Sequence, residues 1–137
     1  ALPAMAVTAA FAEGTTKLLN VPQARSKETD RIKCMAEELK KLAVDVEELP
    51  DGLIIRGSLR RTRDEGRGTN RPSSIIHRPS FALDGRSDHR IVMALPLAGL
   101  NLDGQCSIDT AEAMSVTFPD YVQLMKSIGA RMQIVND

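Results

Sequence analysis

Apolar side chains recur at three- and four-residue steps through residues 27–42, at Ile32, Met35, Ala36, Leu39 and Leu42. That spacing predicts an amphipathic helix. Before it, residues 2–12 are Ala-rich and apolar and predict a buried helix, with Gly14 as its stop signal. TTKLLN at 15–20 predicts a strand. VDVEEL at 44–49 alternates apolar and polar, the pattern of a half-buried strand, and Pro50-Asp51-Gly52 predicts a turn into a partner strand, LIIRG. The pattern then breaks. Residues 57–87 have no period, several Gly and Pro, and many Arg, and predict a long loop or disordered insertion. Residues 89–100 (HRIVMALPLAGL) predict a helix that Pro96 kinks or stops early. CSIDT at 106–110 predicts a short strand. Residues 118–130 predict a helix opening at Pro119 and closing near Gly129, and RMQIV at 131–135 a final strand.

The resulting order is helix, strand, helix, hairpin, loop, helix, strand, helix, strand. It predicts an α/β architecture with helices packed on a sheet. At 137 residues and 42% hydrophobic content, the chain has the length of one domain and enough apolar surface for a core.

Composition narrows the function classes. Eighteen basic residues balance eighteen acidic ones, so net charge offers no attraction to nucleic acid or a membrane. Aromatic residues make up 3% and Trp is absent, which argues against a base-stacking surface. Cys34 and Cys106 match no zinc or redox spacing and read as reduced, buried thiols of a cytoplasmic protein. The longest apolar stretch, at 1–12, is too short to span a bilayer. Ala1 stands inside an apolar segment with no Met before it, as in a chain cut from a longer one.

The candidate chemistry lies at the start of the second helix. RSKETDRI (25–32) places cations where a helix already presents positive backbone charge. With Ser26 as N-cap, Glu28 and Asp30 suit the dipole but Lys27 opposes it. Lys27 and Arg31, four apart, would share one stripe and converge on an anion such as phosphate or carboxylate. The alternative is a solvated face on which Glu28 and Asp30 neutralise the cations. DHR at 88–90 raises the same question: Asp88 can cap a helix whose first turn then carries His89 and Arg90. Taken alone, His89 reads first as a core histidine or one that holds a loop.

These motifs carry a family resemblance. RSKETDRI resembles the RVKETDR motif of the 5-enolpyruvylshikimate-3-phosphate (EPSP) synthases, the enolpyruvyl transferases of the shikimate pathway. ALPAMAVTAAFAEGTT, MAEELKKLAVDVEELPDGLIIRG, DHRIVMALPLAGL and VTFPDYVQLMKSIGA resemble segments of that family in matching order. The likeness covers the chain except about residues 58–83 and corresponds to roughly the C-terminal third of the family's length. It implies a βαβαββ-type unit of the enolpyruvyl transferase fold, with helices on a mixed sheet. Residues 1–137 would be the C-terminal part of one synthase domain, with an Arg-rich insertion at 57–87.

The family transfers enolpyruvyl from phosphoenolpyruvate to the 5-hydroxyl of shikimate 3-phosphate and releases phosphate, without a metal or organic cofactor. The resemblance implies that Lys27 contacts shikimate 3-phosphate and that Glu28 takes part in proton transfer. It implies that Arg31 and Arg90 bind phosphoenolpyruvate, that Gln23 falls at a shikimate 3-phosphate contact, and that Asp88 and His89 shape the loop presenting Arg90. The implied partners are these two substrates and the remainder of the synthase, with neither nucleic acid nor membrane. The chain by itself is expected to be inactive, because an Asp before the Ala-rich helix and the other domain's ligands lie outside it. Val116 stands where some members carry a substrate-binding Lys. A reading of a different class is a non-catalytic α/β module that binds small anions or a protein.

Overall fold

The computed structural model describes residues 1–59 and 79–136. Helix α1 (Leu2–Phe11) leads to strand β1 (Gly14–Leu18), and a 3₁₀ turn (Pro22–Arg25) leads to helix α2 (Arg31–Lys41). Strands β2 (Asp45–Leu49) and β3 (Gly52–Gly57) form the expected hairpin. Strand β4 (Ser80–Asp84), helix α3 (His89–Gly99) and strand β5 (Gln105–Asp109) follow. A second 3₁₀ turn (Ala111–Val116) and helix α4 (Tyr121–Ser127) come last.

β3 is central in a three-stranded antiparallel sheet between β1 and β2. β4 and β5 pair in parallel, Ser80 opposite Gln105 and Asp84 opposite Asp109, with α3 as the crossover. The α/β class holds, and the strands among the described residues divide into one antiparallel and one parallel sheet.

The core joins the three longer helices to these sheets. Ile32, Met35 and Leu39 of α2, Leu53 and Ile55 of β3, and Ile91 and Leu95 of α3 are fully buried. In α1 the small side chains of Ala6 and Ala10 are likewise without exposed surface. The chain after β3 comes so close to α1 that a Cβ on Gly57 would lie 1.7 Å from the Ala12 carbonyl oxygen. This approach lets the Ser58 and Leu59 N–H groups, at 3.1 and 3.0 Å, satisfy the Ala10 carbonyl at the helix end. Gly14 therefore does not stop α1; it opens β1 at φ +85°.

The pattern located most elements, and the departures are local. α2 starts at Arg31 with Asp30 as N-cap, its carboxylate accepting from the Lys33 N–H at 3.0 Å. Ser26 is not the cap, and residues 26–29 are bends, so Lys27 and Arg31 share no helical stripe. The proposed loop 57–87 contains β4, and its stretch 60–78 lies outside the described residues. α3 runs through Pro96 to Gly99, leaving the Val92 carbonyl without its usual helical donor. α4 is seven residues long and closes at Gly129, φ +98°, where the Ala130 N–H reaches back to the Met125 carbonyl at 2.9 Å. RMQIV pairs with no strand among the described residues, and Ile134 and Val135 stay exposed.

Candidate functional site

The segment before α2 is pinned by an arginine that the pattern did not single out. Arg25 donates to the Pro50 carbonyl at 2.7 Å, the Leu49 carbonyl at 2.6 Å and the Asp30 carboxylate at 2.6 Å. A further ion pair joins it to Glu48 at 2.9 Å. One planar guanidinium thus ties the 3₁₀ turn, the helix cap and the β2–β3 turn together. Asp30 neutralises Arg25 while it caps α2.

Arg31, the first residue of α2, turns inward. Its Nε donates to Asp88 Oδ2 at 2.8 Å and its Nη2 to Asp88 Oδ1 at 3.1 Å. Nη2 also reaches Glu28 Oε2 at 2.6 Å. Asp88 has no exposed surface and Arg31 only 6%. The Thr29 hydroxyl donates to Asp88 Oδ2 at 2.9 Å, and the Arg90 N–H donates to Oδ1 at 2.9 Å. Asp88 is therefore the N-cap of α3 and the counter-ion of α2 at once. Burial alone would push its carboxyl pKa up. The donors from Arg31, the Arg90 backbone and Thr29 outweigh burial and hold it below the ordinary value.

This pair brings RSKETDRI and DHR together. Glu28 Oε1 lies 3.9 Å from His89 Nδ1, so one carboxylate stands between Arg31 and His89. Lys27, Gln23 and Arg90 are exposed. Among the described residues, neither Lys27 nor Arg90 has an ion-pair partner. Arg90 also lines an open pocket of about 260 Å³ whose other walls are apolar, from Ala4, Met93, Leu97 and Tyr121 among others. The cations thus sort into two sets: Arg25 and most of Arg31, its Nε and Nη2, are engaged inside the chain, while Lys27 and Arg90 remain available to an anion.

A second buried carboxylate lies two turns along α2. Glu38 has no exposed surface and accepts from Lys41 Nζ at 2.7 Å, the Asp84 N–H at 2.9 Å and Arg86 Nη2 at 3.2 Å. The apolar spacing of α2 hides it, because Glu38 stands next to Leu39 and reads as the edge of a solvated face. Its seven-residue separation from Arg31 was the available signal. Burial pushes the thiols of Cys34 and Cys106 up, and the two remain unpaired. Among the described residues no His, Cys, Asp or Glu cluster could hold a metal ion, and no helix is long and apolar enough to cross a membrane.

The family model for EPSP synthase (3-phosphoshikimate 1-carboxyvinyltransferase) matches residues 1–125. The chain belongs to the EPSP synthase family. It is 50% identical over 135 residues to the 3-phosphoshikimate 1-carboxyvinyltransferase of Ruminiclostridium cellulolyticum, covering 98% of this chain and 28% of that protein. It is 53% identical over 130 residues to the enzyme of that name from Acetivibrio thermocellus, covering 95% of this chain and 26% of the other. An EPSP synthase structure from Acinetobacter baumannii superposes with a TM-score of 0.77 at 32% identity, covering 98% of this chain and 28% of that one. The chain therefore spans about a quarter of the length of these EPSP synthases.

Proposed function

We propose that this chain forms part of the active site of a 3-phosphoshikimate 1-carboxyvinyltransferase. The observation that supports it best is the Arg31–Asp88 pair. It joins two segments, each of which carries an exposed cation with no ion-pair partner among the described residues, Lys27 on one and Arg90 on the other. Two such cations suit a reaction between two anionic substrates, shikimate 3-phosphate and phosphoenolpyruvate.

In this reading the 5-hydroxyl of shikimate 3-phosphate gives up its proton as its oxygen bonds to C2 of phosphoenolpyruvate, and a proton is delivered to the methylene carbon. The tetrahedral adduct then loses a proton from the new methyl group and expels phosphate, which restores the double bond. Lys27 and Gln23 hold shikimate 3-phosphate, and Arg90 holds phosphoenolpyruvate with the part of Arg31 that neither Asp88 nor Glu28 engages. Glu28 moves the proton, aided by its position between Arg31 and His89. Asp88 sets the turn that presents Arg90. Residues 1–137 are the C-terminal part of one synthase domain, and the partner that completes the site is the remainder of the synthase. Neither nucleic acid nor a membrane takes part, and the setting is the cytoplasm.

The test is phosphate release from the two substrates by this chain mixed with the remainder of the Ruminiclostridium cellulolyticum protein. The mixture is expected to turn over and the chain alone to be inactive. Lys27→Ala and Arg90→Ala should each lower kcat/KM about 10²-fold. Association of the two pieces without phosphate release would favour a non-catalytic anion-binding module instead.

A further inference from the structure

Helix α2 grips the turn before α3 at two places. At its first residue a helix cation, Arg31, meets a turn anion, Asp88, at 2.8 Å. Seven residues on, roughly 10 Å along the axis, the polarity reverses: the helix anion Glu38 meets the turn cation Arg86 at 3.2 Å. Sliding the turn along the helix would separate both pairs and bring like charges together. The paired polarity therefore fixes one register.

The turn itself has an uncommon backbone. Arg86 and Ser87 both stand in the left-handed region, φ +55° and +54°, although neither is glycine. Its closing bond runs from the Asp88 N–H to the Gly85 carbonyl at 3.0 Å. The Arg86 N–H donates to Asp84 Oδ1 at 2.7 Å and the Ser87 N–H to Thr110 Oγ1 at 2.9 Å. Glu38 holds the entry to the turn through the Asp84 N–H and its middle through Arg86, which also reaches Glu37 at 2.8 Å. Backbone held in so sparse a region marks a place where surrounding contacts over-determine the conformation.

We propose that Glu38 and Arg86 are a positioning pair that sets Asp88 and, through it, Arg90. Neither side chain needs to touch a substrate. The functional part rests on the reading of Arg90 as a substrate ligand; the structural part does not.

The test is Arg86→Ala in the whole chain. Glu38 keeps the Lys41 ammonium at 2.7 Å in this variant, so its charge is not orphaned and the fold should persist. Amide hydrogen exchange at Asp88 and Arg90 should speed up about tenfold while the amides of β3 stay unchanged. In the reconstituted assay KM for phosphoenolpyruvate should rise about tenfold, with kcat much less affected, and Arg86→Lys should recover part of the loss. Unchanged exchange at Asp88 and Arg90, or a speed-up spread equally over β3, would overturn the positioning role. If the exchange result appears but Arg90→Ala leaves KM unaltered, the positioning stands and the ligand role of Arg90 falls.

Discussion

Asp88 and Glu38 have no exposed surface, whereas Val116, Ile128 and Val135 are 84%, 73% and 71% exposed. The seam between α2 and the turn at Asp84–Arg90 buries charge, and the C-terminal stretch from Ala111 onward exposes hydrocarbon. Both invert the usual distribution. They differ in what completes them. In the seam, the chain itself supplies Arg31, Thr29 and the Arg90 N–H to Asp88, and Lys41, Arg86 and the Asp84 N–H to Glu38. In the C-terminal stretch, Val92, Met114 and Tyr121 make a small second core, and the outer apolar side chains find no cover among the described residues. The seam is therefore a finished local structure, and the C-terminal stretch is not.

The strongest way to break that contrast is to unpair the seam. Asp88→Ala would leave the Arg31 guanidinium buried with Glu28 alone and remove the cap of α3. A loss of about 3–5 kcal/mol is expected from denaturant unfolding. A loss below about 1 kcal/mol would mean that the seam is not load-carrying in solution. Acid should act in the same sense. The folded Asp88 pKa is depressed, so its stabilisation is complete above the ordinary carboxyl value of about 3.9. It is lost as pH falls from there through the folded value.

The seam also marks how far the sequence could be read. Ile32, Met35 and Leu39 were legible because their spacing has one meaning. The RSKETDRI cations were legible as a cluster, but not as two sets with different fates. The reason is physical: Arg25 and Arg31 are bound by Leu49, Pro50 and Asp88, which lie 24 or more positions away from them in the sequence, and no local pattern records such partners. The helix start was misplaced by four residues for a related reason. Ser26 and Asp30 are both good N-caps by type, and the Arg25 anchor selects Asp30. β4 was hidden because SFALD is a short edge of the Arg-rich stretch, and its partner, β5, comes only after α3.

A smaller effect probes the point at which the C-terminal stretch is tied down. Tyr121 is 8% exposed, and its hydroxyl donates to the Met93 carbonyl of α3 at 2.8 Å. Burial pushes its pKa up. Phe118 meets its ring edge-on at a centroid distance of 5.8 Å. Tyr121→Phe keeps the ring and loses one hydrogen bond, for an expected cost of about 1 kcal/mol. Thermal melts of the variant should show that loss, and a neutral result would detach α4 from α3 as an energetic unit.

The smallest expected change in stability sharpens the contrast most. Ile128 follows the last turn of α4 and is largely exposed, so Ile128→Lys removes little packing. A cation there also suits the helix C-terminus, and the change in unfolding free energy should stay within about 0.5 kcal/mol. The same substitution puts a charge into an apolar surface shared with Leu124, which is 51% exposed. Such a surface favours self-association. Sedimentation velocity of the unmodified chain should therefore show concentration-dependent association that weakens in Ile128→Lys. Equal sedimentation of the two proteins, or a stability loss above about 1 kcal/mol, would show that this face is already covered in solution. The C-terminal stretch would then be as finished as the seam.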